Sequence, residues 1–183
     1  MTEVSLENLS AQLDGHNQSS PPLHLWKPEL SGDIDIRIDS DGRWFHEGGE
    51  IKRHSLVKLF ASILRREADG DYYLVTPVEK WRIQVESLPL IIVEAEIENS
   101  ANKELQKIHI RTNTDRVFTI SAEYPLEIVS VASGEQLPAV SINNGLSALL
   151  SRPVYYQLAE NCIENSDGKY GLYSDGQFFQ MEA

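Results

Sequence analysis

Apolar and polar residues alternate strictly through DIDIRID, Asp33 to Asp39, which places Ile34, Ile36 and Ile38 on one face. A period of two is the mark of a half-buried strand. Asp41-Gly42 is a hairpin turn signal, Arg43 to Phe45 begins the return strand, and Gly48-Gly49 makes a second turn before Glu50 and Ile51. From His54 to Glu67 the period changes. Leu56, Val57, Leu59, Phe60, Ile63 and Leu64 share one broad arc. At about 100° per residue, His54, Lys58 and Arg65 fall within roughly 40° of one another on the opposite side. The spacing predicts a helix over 54–67 with an apolar stripe and a basic stripe.

Beyond that helix the period of two returns. ADGDYYLVTP turns into a strand, KWRIQVE alternates through Trp81, Ile83 and Val85, and LPLIIVEAEIEN is a further strand. IHIRTNTDRVFTISAEYPLEIVSV predicts at least three more, with turns at Asn113–Asp115 and Glu123–Pro125. A second helix is expected from Pro153 to Glu164, burying Val154, Tyr155, Leu158, Ala159, Cys162 and Ile163, and GKYGLYSDGQFFQM is a closing hairpin. Before all of this, Val4, Leu6, Leu9 and Leu13 recur near helical spacing up to Gly15, and HNQSSPP, His16 to Pro22, has linker composition. These first residues read as a peripheral arm.

Two stretches repeat one another. RHSLVKLFASILRREADGDYYLV aligns with RPVYYQLAENCIENSDGKYGLY at an offset of 99 that slips to 98 at the turn, with Leu74 matching Leu172. Each reads as arginine, helix, Asp-Gly turn and aromatic strand, so a duplicated helix–hairpin element is expected. The pattern as a whole predicts an α+β protein of two small mixed domains: an N-terminal helix and linker over 1–22, an α+β domain over 23–87, and a β-rich domain with one main helix over 88–183.

Charge changes the picture of partners. The net charge of −12 is uneven: 11 acids face 9 bases between Asp33 and Glu86, but 13 acids face 6 bases from Ser87 onward. Such a surface repels a long polyanion, since duplex binding rests on phosphate neutralisation, and it disfavours an acidic membrane for the same reason. A small anion in a locally basic pocket is compatible with it. The single cysteine, Cys162, excludes an internal disulfide and a Cys-based zinc cluster. No apolar run reaches the roughly 20 residues of a membrane helix, and the start MTEVSLENLS has no basic leader. A cytoplasmic setting is expected.

HEGGE, His46 to Glu50, nearly spells a zinc-protease box. The box needs a second histidine four residues on, within a helix; here that position is Glu50, and the two glycines oppose helix. His16, His24, His54 and His109 have no ligand spacing either, so neither metal nor cofactor is expected. Phosphate-loop, GxGxxG and GxSxG motifs do not occur. What remains is a basic set, Arg53, His54, Lys58 and Arg65, with Trp44 and Trp81 as flat platforms. Cations for phosphate and rings for a base are the needs of a nucleotide, although a solvated helix face over a tryptophan-containing core has the same composition.

DGRWFHEGGEI, KRHSLVKLFASILRRE, DGDYYLVTPVEKWRIQVE, RTNTDRV and YPLEI resemble the bacterial domain-of-unknown-function family 1285. The resemblance spans roughly His24 to Tyr124 and continues more loosely to the last hairpin. It implies two α+β domains with duplicated elements, the second similar to a pleckstrin-homology-like barrel. It also implies a ligand cleft at the domain junction, for a nucleotide-like molecule with a signalling role. Its matching positions here are Trp44, His46, Arg53, Thr76, Pro77, Glu79, Lys80, Arg111 and Asn113.

The expected function is therefore a non-enzymatic ligand-binding or regulatory module for a small anionic, nucleotide-like molecule. The expected ligand residues are Trp44, His46, Arg53, His54, Lys58, Thr76, Glu79, Lys80, Arg111 and Asn113, with no catalytic set. Arg53 is expected at the centre, because a helix start adds backbone donors and a positive dipole to the local cations. The alternatives are a hydrolase or transferase acting on a nucleotide, with His46 or Glu79 as base, and a protein-interaction adaptor whose partner the sequence does not name.

Overall fold

The structure, a computed structural model, describes residues 6–13 and 21–182. Val4, His16 and most of the expected linker lie outside these residues. The chain divides into two compact units, one formed by Met1–Asp39 and Arg43–Glu86, the other by Ser40–Gly42 and Ser87–Ala183.

In the first unit, helix α1 (Leu6–Leu13) lies against a later helix and buries Leu9 and Leu13 completely or nearly so. It is a docked element, not a peripheral arm. Strand β1 (Leu30–Ile38) buries Ile34, Ile36 and Ile38, each contributing roughly 1.5–3 kcal/mol of hydrophobic stabilisation. It turns into β2 (Trp44–His46) through Asp39, which is buried and accepts both the backbone N–H and the side-chain Nε–H of Arg43 at 2.9 Å. Glu47 and Gly48 take positive φ at the next turn, and β3 (Gly49–Glu50) pairs back on β2.

Helix α2 (His54–Ser62) is shorter than the expected 54–67. Ile63 leaves helical geometry, and β4 (Leu64–Arg66) pairs with β5 (Tyr72–Val75) as Leu64 opposite Leu74 and Arg65 opposite Tyr73. The cause is tertiary. All four residues of β5 are buried, so its backbone needs a neighbour on each side, and the apolar tail of the helical pattern supplies one as a strand. β6 (Lys80–Val85) completes a six-stranded sheet in the order β3-β2-β1-β6-β5-β4, with β1 and β6 parallel.

The second unit opens with the meander β7 (Leu90–Glu98), β8 (Lys107–Thr112) and β9 (Val117–Thr119). A second meander follows: β10 (Leu126–Ser130), β11 (Gln136–Ser141) and β12 (Ser147–Leu150). The last two strands were not anticipated individually. Their order is β10-β11-β12-β7-β8-β9, with β12 parallel to β7, and the sheet is open at β10 and β9. Counted within its own unit, each large sheet runs 3-2-1-6-5-4 with its first and sixth strands parallel. Helix α3 (Arg152–Ala159) packs on β7 and ends earlier than the expected Glu164, because Ile163 and Glu164 form β13. β13 pairs with β14 (Tyr170–Ser174), and β14 with β15 (Gln177–Gln180). Thus α2 and α3 each lead into three antiparallel strands, β4-β5-β6 and β13-β14-β15. No described helix is long and apolar enough to cross a membrane.

Candidate functional site

Register across the first sheet sets Asp33, Arg82, Tyr73 and Arg65 side by side on β1, β6, β5 and β4. Opposite partners share a face, so a row of charge and hydroxyl runs across four strands. Arg82 donates to both oxygens of Asp33, at 2.8 and 3.1 Å, and reaches Asp71 at 3.3 Å. Its bond holds the Asp33 carboxyl below the usual carboxylate range, and Asp33 in turn raises the guanidinium above its own. Tyr73 donates its hydroxyl to Asp69 at 2.7 Å, which pushes the phenol up to about 12.

Beside this row the β1–β6 ladder breaks. Asp33 opposes Arg82 and the next pair is Arg37 with Gln84, so Ile34, Asp35 and Ile36 oppose Ile83 alone. The break opens a groove of about 480 Å³, with Asp33, Asp71 and Arg82 as its charged lining and Ile34, Tyr72 and Ile83 among its apolar lining. That volume lies within the range of small-molecule sites. Arg66 stands near, 5.4 Å above the Tyr72 ring and donating to the Gly70 carbonyl at 3.1 Å.

The expected ligand residues take other places. Trp44 is 1% exposed and packs on Phe60 with ring centroids 6.3 Å apart, so it is core and offers no platform to a ligand. His46 is half-buried on β2, opposite Ile36. Arg53 precedes α2 with its Nε donating to Ser55 Oγ at 3.3 Å, and His54 and Lys58 lie on the exposed side of α2. Arg65 does not share that side. It belongs to β4 and donates to the carbonyls of Leu23 and Trp26, both at 2.9 Å.

Thr76 and Glu79 close the β5–β6 turn, Thr76 Oγ1 accepting the Glu79 N–H at 3.0 Å. Lys80 donates to Glu67 at 3.0 Å and sits 4.9 Å over the Tyr73 ring, while Arg65 holds the other Glu67 oxygen. Burial of Glu67 works to raise its pKa, but the hydrogen bonds from Lys80 and Arg65 outweigh it and the net direction is down. In the second unit Arg111 is held by Glu94 and Asp115. Asn113 is a backbone clamp, accepting the Ile91 N–H at 3.1 Å and donating to the Gly42 carbonyl at 3.2 Å. Among the described residues no three His, Cys, Asp or Glu side chains are placed to hold a metal ion.

Sequence reasoning passed over Asp33, Asp71 and Arg82. The alternation of DIDIRID and KWRIQ does put Asp33 and Arg82 on outward faces. The parallel register that joins them across 49 residues is a tertiary fact.

Family models account for nearly all of the described chain. The N-terminal domain of unknown function DUF1285 matches residues 21–88, and the C-terminal domain of the DUF1285 proteins of unknown function matches 89–181. The chain belongs to the DUF1285 family. Among solved DUF1285 structures, a protein from Silicibacter pomeroyi DSS-3 is 36% identical, with a TM-score of 0.88 over 100% of this chain and 97% of that one. A DUF1285 protein from Shewanella baltica OS155 is 27% identical, with a TM-score of 0.55 over 70% of this chain and 92% of that one. No curated protein matches this DUF1285 chain.

Proposed function

We propose that this chain is a non-enzymatic ligand-binding module with a regulatory role in signalling, and that it takes a small anionic, nucleotide-like ligand in the groove beside β6. The observation that carries this reading is the Arg82 arrangement at the groove. Asp33 grips the guanidinium with both oxygens, whereas Asp71 touches it through one longer bond. An incoming phosphate or carboxylate displaces the weaker partner and keeps the stronger, so the arginine is oriented before the ligand arrives. Charge-assisted bonds of this kind are about twice as strong as neutral ones.

A thermal-shift screen of nucleoside mono- and diphosphates, followed by calorimetric titration of the best hit, tests the reading. A ligand at about 100 times its Kd raises stability by roughly 2.7 kcal/mol. Arg82→Gln is expected to weaken binding at least tenfold. Asp71→Asn is expected to tighten it, because a competing carboxylate is removed. Weaker binding in Asp71→Asn with no change in Arg82→Gln means a cationic ligand and ends the proposal.

The start of α2 supports a second anion site. Its first turn carries no acid and receives no side-chain cap, so Arg53→Ala belongs in the same titration series; loss of affinity there alone moves the site to α2. Conversion of the bound nucleotide to product would support the hydrolase or transferase reading instead. We also read the shared 3-2-1-6-5-4 strand order as the trace of a duplicated sheet, on a different alignment from the helix–hairpin repeat.

A further inference from the structure

The second unit holds its own arginine of unusual setting, in the RTNTDRV stretch that joins β8 to β9. The other polar side chains of that turn are committed to the protein. Thr112 Oγ1 accepts the Arg116 N–H at 3.2 Å and bonds Thr114 Oγ1 at 3.1 Å, both threonines being buried. Asn113 clamps Ile91 and Gly42, and Asp115 pairs with Arg111. The Arg116 side chain is also held by the protein, but by uncharged groups. It is half-buried, lies 4.9 Å over the Phe118 ring, and donates from Nη2 to the neutral Asn143 Oδ1 at 2.8 Å.

No carboxylate touches Arg116 among the described residues, although the chain from Ser87 onward carries 13 acids. Arg37, Arg43, Arg65, Arg82 and Arg111 all pair with one. Arg53, Arg66 and Arg152 show no such pair among the described residues, but these three are exposed and water serves them. Burial, and after it the neighbouring Glu123, push the Tyr124 phenol up. A guanidinium partly withdrawn from water without a counter-charge is in a less favourable state that an anion relieves. Nη2 is the nitrogen that bonds Asn143, and a guanidinium fork matches the two oxygens of a phosphate or carboxylate.

We propose that Arg116, backed by Phe118 and held by Asn143, forms a binding site for a small oxyanion in the C-terminal unit. The rigid turn, with its threonine and asparagine bonds spent internally, orients the guanidinium so that little freedom is lost on binding. Burial pushes the Arg116 guanidinium below its usual range, in keeping with a charge that lacks its partner. Being on a different unit, the site stands whether or not the groove beside β6 binds anything.

Inorganic phosphate is the probe, titrated into isotope-labelled protein at constant ionic strength against sodium chloride and followed by amide chemical shifts. Saturable shifts at Arg116, Val117 and Asn143 are expected with phosphate alone. They should persist in Arg82→Gln and Arg111→Gln and weaken at least tenfold in Arg116→Gln. Asn143→Ala, which frees the guanidinium without removing it, is expected to weaken them several-fold and decides the matter if Arg116→Gln fails to fold. Shifts that rise linearly without saturating, that chloride reproduces, or that survive both Arg116→Gln and Asn143→Ala overturn the proposal.

Discussion

Glu67 shows how one side chain joins elements that look unrelated in sequence. It lies just past β4, yet it receives Arg65 on one oxygen and Lys80 from β6 on the other, with all three side chains mostly buried. Glu67→Gln leaves two cations facing each other with a neutral acceptor between them, and is expected to cost roughly 1–3 kcal/mol in urea unfolding at pH 7. The sign of its pH dependence follows from the lowered native pKa. The contribution is complete above the unfolded carboxyl value of about 4.3 and is lost as pH falls through the lower folded value. Unfolding midpoints measured from neutral to acid pH should therefore drop less steeply in Glu67→Gln than in the parent. An equal slope in both proteins contradicts this account of Glu67. Trp44 carries the opposite lesson. Its indole N–H is buried without a hydrogen-bond partner, a cost the core accepts for a large ring against Phe60.

The three-stranded sheet that ends the chain depends on the absence of a side chain. Gly171 lies on the central strand β14, opposite Ile163 and Gln180. A Cβ there would stand 2.0 Å from the Phe179 carbonyl oxygen and 2.8 Å from the Phe178 ring. The ring can turn aside, but the carbonyl cannot yield without disturbing the β14–β15 ladder. Gly171→Ala is expected to destabilise by about 3 kcal/mol, with amide exchange protection lost first along β14 and β15. Unchanged protection there would mean that the strands adjust more freely than this packing allows. The same elements explain the shortened helices. Apolar spacing extends the helical pattern past Ser62 and Ala159, but Leu64 and Ile163 pair with neighbouring strands, and the pairing of buried backbone outweighs a continued helical turn.

At the scale of the whole molecule the excess of acid is the governing property. Sixteen bases against 28 acids leave −12, and self-repulsion of that size opposes compaction. Raising sodium chloride from 0.02 to about 0.3 M shortens the screening length. The expected gain is about 1 kcal/mol, a Tm rise of roughly 2–4 °C for a chain of this size. A falling Tm over that range would show that the ion pairs on the outer sheet faces outweigh the repulsion. The same excess sets the partner class. Any anion must find a local cation, and the sites proposed at Arg82 and Arg116 each use an arginine already oriented by the fold.

Local pattern alone determined the strand DIDIRID with its three buried isoleucines, the first two turns, the existence of two principal helices, and the closing hairpin. These follow from periods of two and 3.6 and from glycine chemistry, which act over a few residues. The motifs across the chain also carried its family. Tertiary structure decided where each helix stops, because a buried strand elsewhere needed a partner. It placed Trp44 in the core, since a tryptophan that packs and one that stacks on a ligand have the same spelling. It chose among the arginines as well: Arg111 and Arg116 stand in one motif, and only the fold gives carboxylates to the first and an amide and a ring to the second. Charge in a sequence has a sign but no neighbours; the neighbours come from strand register, set by contacts across dozens of residues.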